Sequence, residues 1–267
     1  MLMRFKCEKC GGKKYWKLSG GEYRCRACKT DFRKYLVDSI RLTRNDWIKM
    51  IDLFLIGANS PVIAGQMKKN IKTIAKALKI LRMAMVKDVP KTFSGIVEVD
   101  ETYLGGQKKN KNKKQLRKEI EKFGKTSKSG FGTTKQPVFG ILERNGKVFA
   151  ELVPDTQAID LIPIITKKVK VGSKICSDTY RSYKGLATAG YVHRTVEHRT
   201  KEYVIGKNHI NGLEGFWGYL KRKLASNGGV RRIYLPLFLS EYVWRYNNRK
   251  TDIRKQRDKL LQLIIQI

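Results

Sequence analysis

Residues 95–106 read GIVEVDETYLGG, and the reading of this stretch decides the fold. Ile96, Val97 and Val99 make a β-branched run, which predicts a strand ending at or near Asp100, with Gly105 and Gly106 turning the chain after it. Glu101 alternates to the opposite face of that strand, so it belongs behind Asp100. Downstream, residues 138–143 and 148–153 are strand-like and flank Asn145-Gly146, a strong hairpin signal. The first three strands are therefore expected as an antiparallel meander.

Residues 155–168 read as a helix with Ile159, Ile162, Ile165 and Val169 inward despite Pro163. A strand over 173–177 delivers Asp178, a short helix covers 180–187, another strand covers 191–196, and a long helix follows from His209. Three strands, a helix, a strand, a helix, a strand and a long helix is the order of a ribonuclease H-like fold. The fold class is therefore α/β, a mixed sheet flanked by helices. In that architecture the first and fourth strands are neighbours, which sets Asp100 beside Asp178.

The long helix lies in NHINGLEGFWGYLKRKL, residues 208–224. Leu213, Phe216, Trp217 and Leu220 recur at helical spacing and predict one buried face. Glu214 and Lys221 are seven residues apart, two turns, so both project from one side. Alone they read as an acid and a base on a surface helix. With two aspartates alongside, three converging carboxylates repel one another unless cations neutralise them, which points to Mg²⁺ or Mn²⁺. Cys176 reads as a small core residue. His193 and His198 read as surface or core residues, and Asp155 and Asp160 as acids favoured by a helix start.

Near the N-terminus, Cys7-x-x-Cys10 and Cys25-x-x-Cys28 are separated by fourteen residues, so two knuckles can close one tetrahedral site. Structural Zn²⁺ is the expected ligand, with Gly11 and Gly12 at the tight turn and Tyr15, Trp16, Tyr23 and Phe32 as apolar cover. Thr43 and Asp46 open a helix through about Leu55. Ser60-Pro61 caps a second, shorter helix to Met67, and a third runs from about Asn70 to Met85 with Ile71, Ile74, Ala75, Leu78, Leu81 and Met85 inward. Three helices with a short middle one resemble a helix-turn-helix, in which Lys68, Lys69, Lys72, Thr73, Lys76 and Lys79 face a duplex.

The chain of 267 residues carries 57 Lys and Arg against 23 acidic residues, a formal charge of +34, and its 41% hydrophobic residues suffice for a packed core. So basic a chain repels itself unless a polyanion screens it, so nucleic acid is the expected partner. No apolar run reaches the ~20 residues that span a bilayer, and no signal-peptide pattern opens the chain, so a cytoplasmic location without membrane contact is expected. Residues 107–135 hold eleven Lys and Arg and two Glu with little apolar periodicity, and read as a mobile basic loop. After residue 231, an apolar helical face runs from Tyr234 to Trp244, and the apolar end at 260–267 is expected to pack on the core or on a partner chain.

Asp178 and Glu214 are separated by 35 residues, and Lys221 follows. This resembles the D…D(35)E…K pattern of DDE transposases and retroviral integrases. DETYLGG around Asp100, SDTYRSY around Asp178, HINGLEGFWGYLKRKL around Glu214 and EYVWRYNNR near the end resemble the zinc-ribbon insertion-sequence transposases of the ISXO-two-like branch. The resemblance covers nearly the whole chain. It implies cleavage of transposon ends and their transfer to target DNA with two divalent ions held by Asp100, Asp178 and Glu214. Lys221, with Arg222 beside it, would contact phosphate, and a homodimer or larger synaptic assembly would pair the ends. Members of the branch can carry Asn or His at the third position, so Asn211 stays as the runner-up to Glu214, with His209 nearby.

The expected organisation is a zinc ribbon over 1–36, a helical DNA-binding module over 40–88, a catalytic core over 94–230 with a basic insertion at 106–136, and a C-terminal helical segment over 231–267. A zinc-ribbon DNA-binding regulator and a ribonuclease H-like nuclease without transposition are the alternative readings.

Overall fold

The computed structural model describes residues 6–7, 9–19, 22–32, 35–37, 39–105, 111–124, 133–178, 181–196 and 210–266. Gly106, Thr179, Tyr180, His198 and His209, singled out above, lie outside them, as do parts of the basic insertion. The chain divides into two compact units, Met1–Lys87 with Thr251–Ile267, and Asp88–Lys250.

In the first unit, β1 (Tyr15–Lys17), β2 (Tyr23–Cys25) and β3 (Asp31–Phe32) form a three-stranded antiparallel sheet. Tyr15, Tyr23 and Phe32 pack their rings together on it, with centroids 5.3 to 6.1 Å apart. Then come α1 (Arg44–Leu55), α2 (Ser60–Met67) and α3 (Ile71–Lys87). Thr43 and Asp46 form a full capping box on α1. The cap of α2 is Asn59, whose side chain accepts from Val62 N, one residue earlier than expected. The buried stripe of α3 runs through Ile74, Ala77, Leu78, Leu81 and Met85. Ile71 and Ala75 are exposed, because Ala75 lies one step off that stripe and Ile71 opens the helix.

The C-terminal stretch is divided between the units. The last helix, α8 (Ile253–Ile265), buries Leu260, Leu261 and Ile264 and packs on α1 and α3. It completes a four-helix group, because three short amphipathic helices leave an apolar face that needs a cover.

In the second unit, β4 (Ile96–Leu104), β5 (Gln136–Glu143), β6 (Val148–Leu152), β7 (Lys174–Asp178) and β8 (Val192–Val196) form one sheet in the order β6-β5-β4-β7-β8. β4 pairs antiparallel with β5 and parallel with β7, and β7 pairs parallel with β8. This is the order of a ribonuclease H-like core. β4 runs past its expected end, so Asp100 sits in mid-strand opposite Gly140.

Helices cover both sheet faces. On one, Val97, Val99, Phe139 and Ile141 pack with Leu161 and Ile165 of α5 (Ala158–Lys168) and with Tyr183 of a 3₁₀ turn (Arg181–Leu186). The stripe on α5 is Leu161, Ile165 and then Val169, at four-residue steps, which leaves Ile159 on the solvent side at 78% exposure. On the other face, Leu104, Val138 and Leu142 pack with α6 (Asn211–Ser226) and α7 (Leu235–Asn247).

The basic stretch read as a loop contains α4 (Lys113–Phe123). Its Glu119 is buried, accepts from the Thr134 hydroxyl, and pairs with Lys111 Nζ at 2.7 Å. Arg232 in turn donates to the Thr134 carbonyl at 2.8 Å. A buried carboxylate with these partners anchors a helix that periodicity alone did not reveal.

Candidate functional site

Strand pairing brings the two aspartates together. Glu98 is level with Cys176 in the parallel β4–β7 ladder, so two residues further along Asp100 comes level with Asp178 at the end of β7. Even-numbered residues of β4 face α6, and Trp217 on that helix donates from Nε1 to Asp100 Oδ2 at 3.0 Å. The indole reaches the carboxylate because residue 140 is glycine. A Cβ there would stand 2.5 Å from Trp217 Cζ2.

Burial drives the Asp100 carboxyl up to about 7, and the charges of Asp178 and Glu214 add to the rise, while Glu101 N–H and Trp217 Nε1–H oppose it. Those two charges reach Asp100 because β7 ends level with the middle of β4 and α6 packs over it. Lys221 joins the group from two turns along α6. Partial desolvation, with the like charge of Lys135 nearby, pulls its ammonium below the ordinary lysine value against the opposing pull of Asp100. The structure therefore brings Asp178, Glu214 and Lys221 each within electrostatic reach of Asp100. Asn211 stands at the first position of α6, one turn before Glu214, and both are exposed.

Glu101 lies on the opposite face, where the Tyr183 hydroxyl donates to it. Burial lifts its carboxyl to about 8 against that hydrogen bond, and Asp100 and Asp178 add to the rise. Ser177, also on that face, bonds His193 Nε2 at 2.9 Å, so this histidine supports the sheet. Cys176 is fully buried.

Among the described residues, the four cysteines are the set of three or more whose ligand atoms all fall within 4.8 Å of one another. Hard oxygen donors from three elements, around a carboxyl raised chiefly by burial and further by its acidic neighbours, fit divalent Mg²⁺ or Mn²⁺.

The thiols fit zinc. Cys7 and Cys28 Sγ are 3.5 Å apart, as are Cys10 and Cys25 Sγ, against the ~3.8 Å edge of a tetrahedral zinc–thiolate site. Each knuckle closes alike: Gly11 N donates to Cys7 O and Lys29 N to Cys25 O, and both residues have positive φ, 69° and 57°. The Thr30 hydroxyl and N–H lower the Cys28 thiol to about 6. Gly12 N–H favours the Cys10 thiolate, but the crowding sulfurs of Cys28 and Cys25 outweigh it and push Cys10 up to about 12. Binding of Zn²⁺ by the four sulfurs would release these protons, since the metal takes thiolates.

Lys68, Lys69, Lys72 and Lys76 are exposed at the α2–α3 corner, and Lys69 also pairs with Asp46 at 3.4 Å. Arg222 is exposed on α6. The end of α7 has a mainly architectural use. The Asn247 side chain donates to Val148 O and accepts from Val148 N, at 2.8 and 2.7 Å, on the edge strand β6. Arg245 pairs with Glu241 at 2.9 Å.

Sequence reasoning missed Glu98 and the polar use of Trp217. The signal for Glu98 was present, since a lone carboxylate inside a β-branched run must be buried with a partner. Its oxygens accept from Arg144 at 3.3 Å and from Leu213 N at 2.9 Å.

Residues 92–247 match the ISXO2-like transposase domain. A Haemophilus influenzae protein described as an uncharacterized transposase-like protein is 37% identical over 118 residues, 44% of this chain and 94% of that protein. Among solved structures, a pre-cleavage Mos1 transpososome aligns over 80% of this chain and 76% of its own at 12% identity and TM-score 0.25. The Mos1 paired-end complex with the left transposon end aligns over 85% and 80% at 9% identity and TM-score 0.23. The reading of the fold stands on strand order and not on these overlays.

Proposed function

The chain belongs to the ISXO2-like transposase family, and from that membership we propose that it is a DDE-type transposase that cuts insertion-sequence ends and joins them to target DNA. The observation that carries this reading is the meeting of Asp100 and Asp178, on adjacent parallel strands, with Glu214 and Lys221 from one side of α6.

Asp100, Asp178 and Glu214 would hold two Mg²⁺ or Mn²⁺ ions. Bound there, the ions supply activation of a water or 3′-hydroxyl and stabilisation of the leaving 3′-oxygen. Glu214 is preferred to Asn211 because a charged carboxylate suits a hard cation, and because its charge is felt at Asp100. Trp217 holds Asp100 Oδ2 from the α6 side and so fixes the orientation of the carboxylate. Lys221 gives a cation for a phosphate beside the reacting bond, and Arg222 a further backbone contact.

The ribbon over 1–36, closed by Zn²⁺ on Cys7, Cys10, Cys25 and Cys28, and the helices over 40–88, through Lys68, Lys69, Lys72 and Lys76, serve end recognition. The core over 94–230 performs the chemistry. The partners are transposon ends and target DNA, in a homodimer or larger synaptic assembly in the cytoplasm.

The test is incubation of the full chain with duplex carrying the element's own ends and Mg²⁺. End-specific nicking and joining are expected, with a loss of at least ~10²-fold in Asp178→Ala, the scale of removing one transition-state-stabilising group. An inactive wild type, or an unimpaired variant, overturns the reading.

A further inference from the structure

The helix that carries Glu214 has no cap of its own. The residue at its N-cap position is Ile210, which offers no side-chain acceptor, and the first N–H groups of a helix need partners. One partner comes from the sheet. Glu98 Oε2 accepts from Leu213 N at 2.9 Å, while Oε1 faces the Arg144 guanidinium at 3.3 Å. Glu98 is 1% exposed, so this carboxylate has little water to fall back on. Both charges that offset it, the guanidinium and the positive end of the helix, are fixed in place.

Its location gives the bond a further consequence. Glu98 is two residues from Asp100 on the same strand and the same face, and Leu213 immediately precedes Glu214. One hydrogen bond thus ties the strand bearing the first carboxylate to the helix turn bearing the third. Gly212 makes room for it: a Cβ there would stand 2.9 Å from Glu98 Oε2 and 3.1 Å from Leu142 Cδ2.

We propose that Glu98 is a positioning residue that sets where Glu214 stands relative to Asp100, and thereby sets the affinity of the carboxylate group for a divalent cation. The inference rests on the metal-dependent reading above. Mn²⁺ binding to the full-length, zinc-loaded chain tests both, read by the electron paramagnetic resonance of free Mn²⁺ and without any activity assay. Wild type is expected to bind. Glu98→Ala weakens binding about tenfold, whereas Glu98→Gln, which keeps an acceptor for Leu213 N, stays within about threefold of wild type. In a Glu214→Ala background, Glu98→Ala has no further effect, because it acts through Glu214.

Should Glu98→Ala not fold, Gly212→Ala serves in its place. It favours the helix by propensity yet is expected to weaken Mn²⁺ binding by crowding Glu98. Unchanged affinity in folded Glu98→Ala or Gly212→Ala, or a loss equally large without Glu214, overturns the proposal. A wild type that binds no Mn²⁺ overturns the metal-dependent reading itself and this proposal with it.

Discussion

At the scale of single residues, the electrostatics of the carboxylate group have a measurable sign. The Asp100 carboxyl is held at about 7 and Glu101 at about 8, burial being the larger cause in both, against ~3.9 and ~4.3 in an unfolded chain. Between about pH 4 and 8 the unfolded chain has therefore lost protons that the native protein keeps. Stability contributed by these groups is present below that window and lost as pH rises through it. The metal-free protein should melt at a falling temperature from pH 5 to 8, and Asp100→Asn should flatten the fall. Mg²⁺, which binds the ionised carboxylates, should raise the melting temperature more at pH 8 than at pH 6. Thermal denaturation across that range checks both. The proposed grouping of Asp100, Asp178, Glu214 and Lys221 rests in the sequence on two strands expected to be neighbours, a two-turn step along one helix and the family resemblance. The partners of Glu98 and Trp217 were not legible there, because each acts across the sheet–helix gap on a residue distant in sequence.

At the scale of elements, the sheet and α6 fit through a missing side chain. Gly140 sits where Trp217 crosses β5, and an added Cβ would come 2.5 Å from its ring. Gly140→Ala should cost about 1–3 kcal/mol, the usual toll of overpacking, and should also displace the indole from Asp100. Chemical denaturation measures the first effect and indole fluorescence the second. Strands, hairpin and long helix all followed from local periodicity. The helix at Lys113–Phe123 did not, because its stability rests on the buried Glu119 and its links to Lys111 and Thr134. The inward faces of α3 and α5 were each assigned with an error of a residue or two, since several apolar stripes compete on a short helix and packing chooses among them.

At the scale of the whole molecule, a formal charge of +34 makes the response of DNA binding to salt diagnostic. Replacing both Lys72 and Lys76 by alanine should reduce the slope of log affinity against log salt by about 2, roughly 1 per lost phosphate contact. A slope equal to wild type would remove α3 from the DNA-binding surface. The sequence by itself determined the order of the core strands and of every core helix but that at Lys113–Phe123, the four zinc-spaced cysteines, the charge and the family-like motifs, because each is written in local spacing or composition. Only the tertiary structure decided that α8 packs with the N-terminal helices, that Asn247 covers the edge of β6, and that Glu98 caps the helix carrying Glu214. Those choices follow from satisfying buried apolar faces and buried polar groups with partners far along the chain, and no local pattern names the partner.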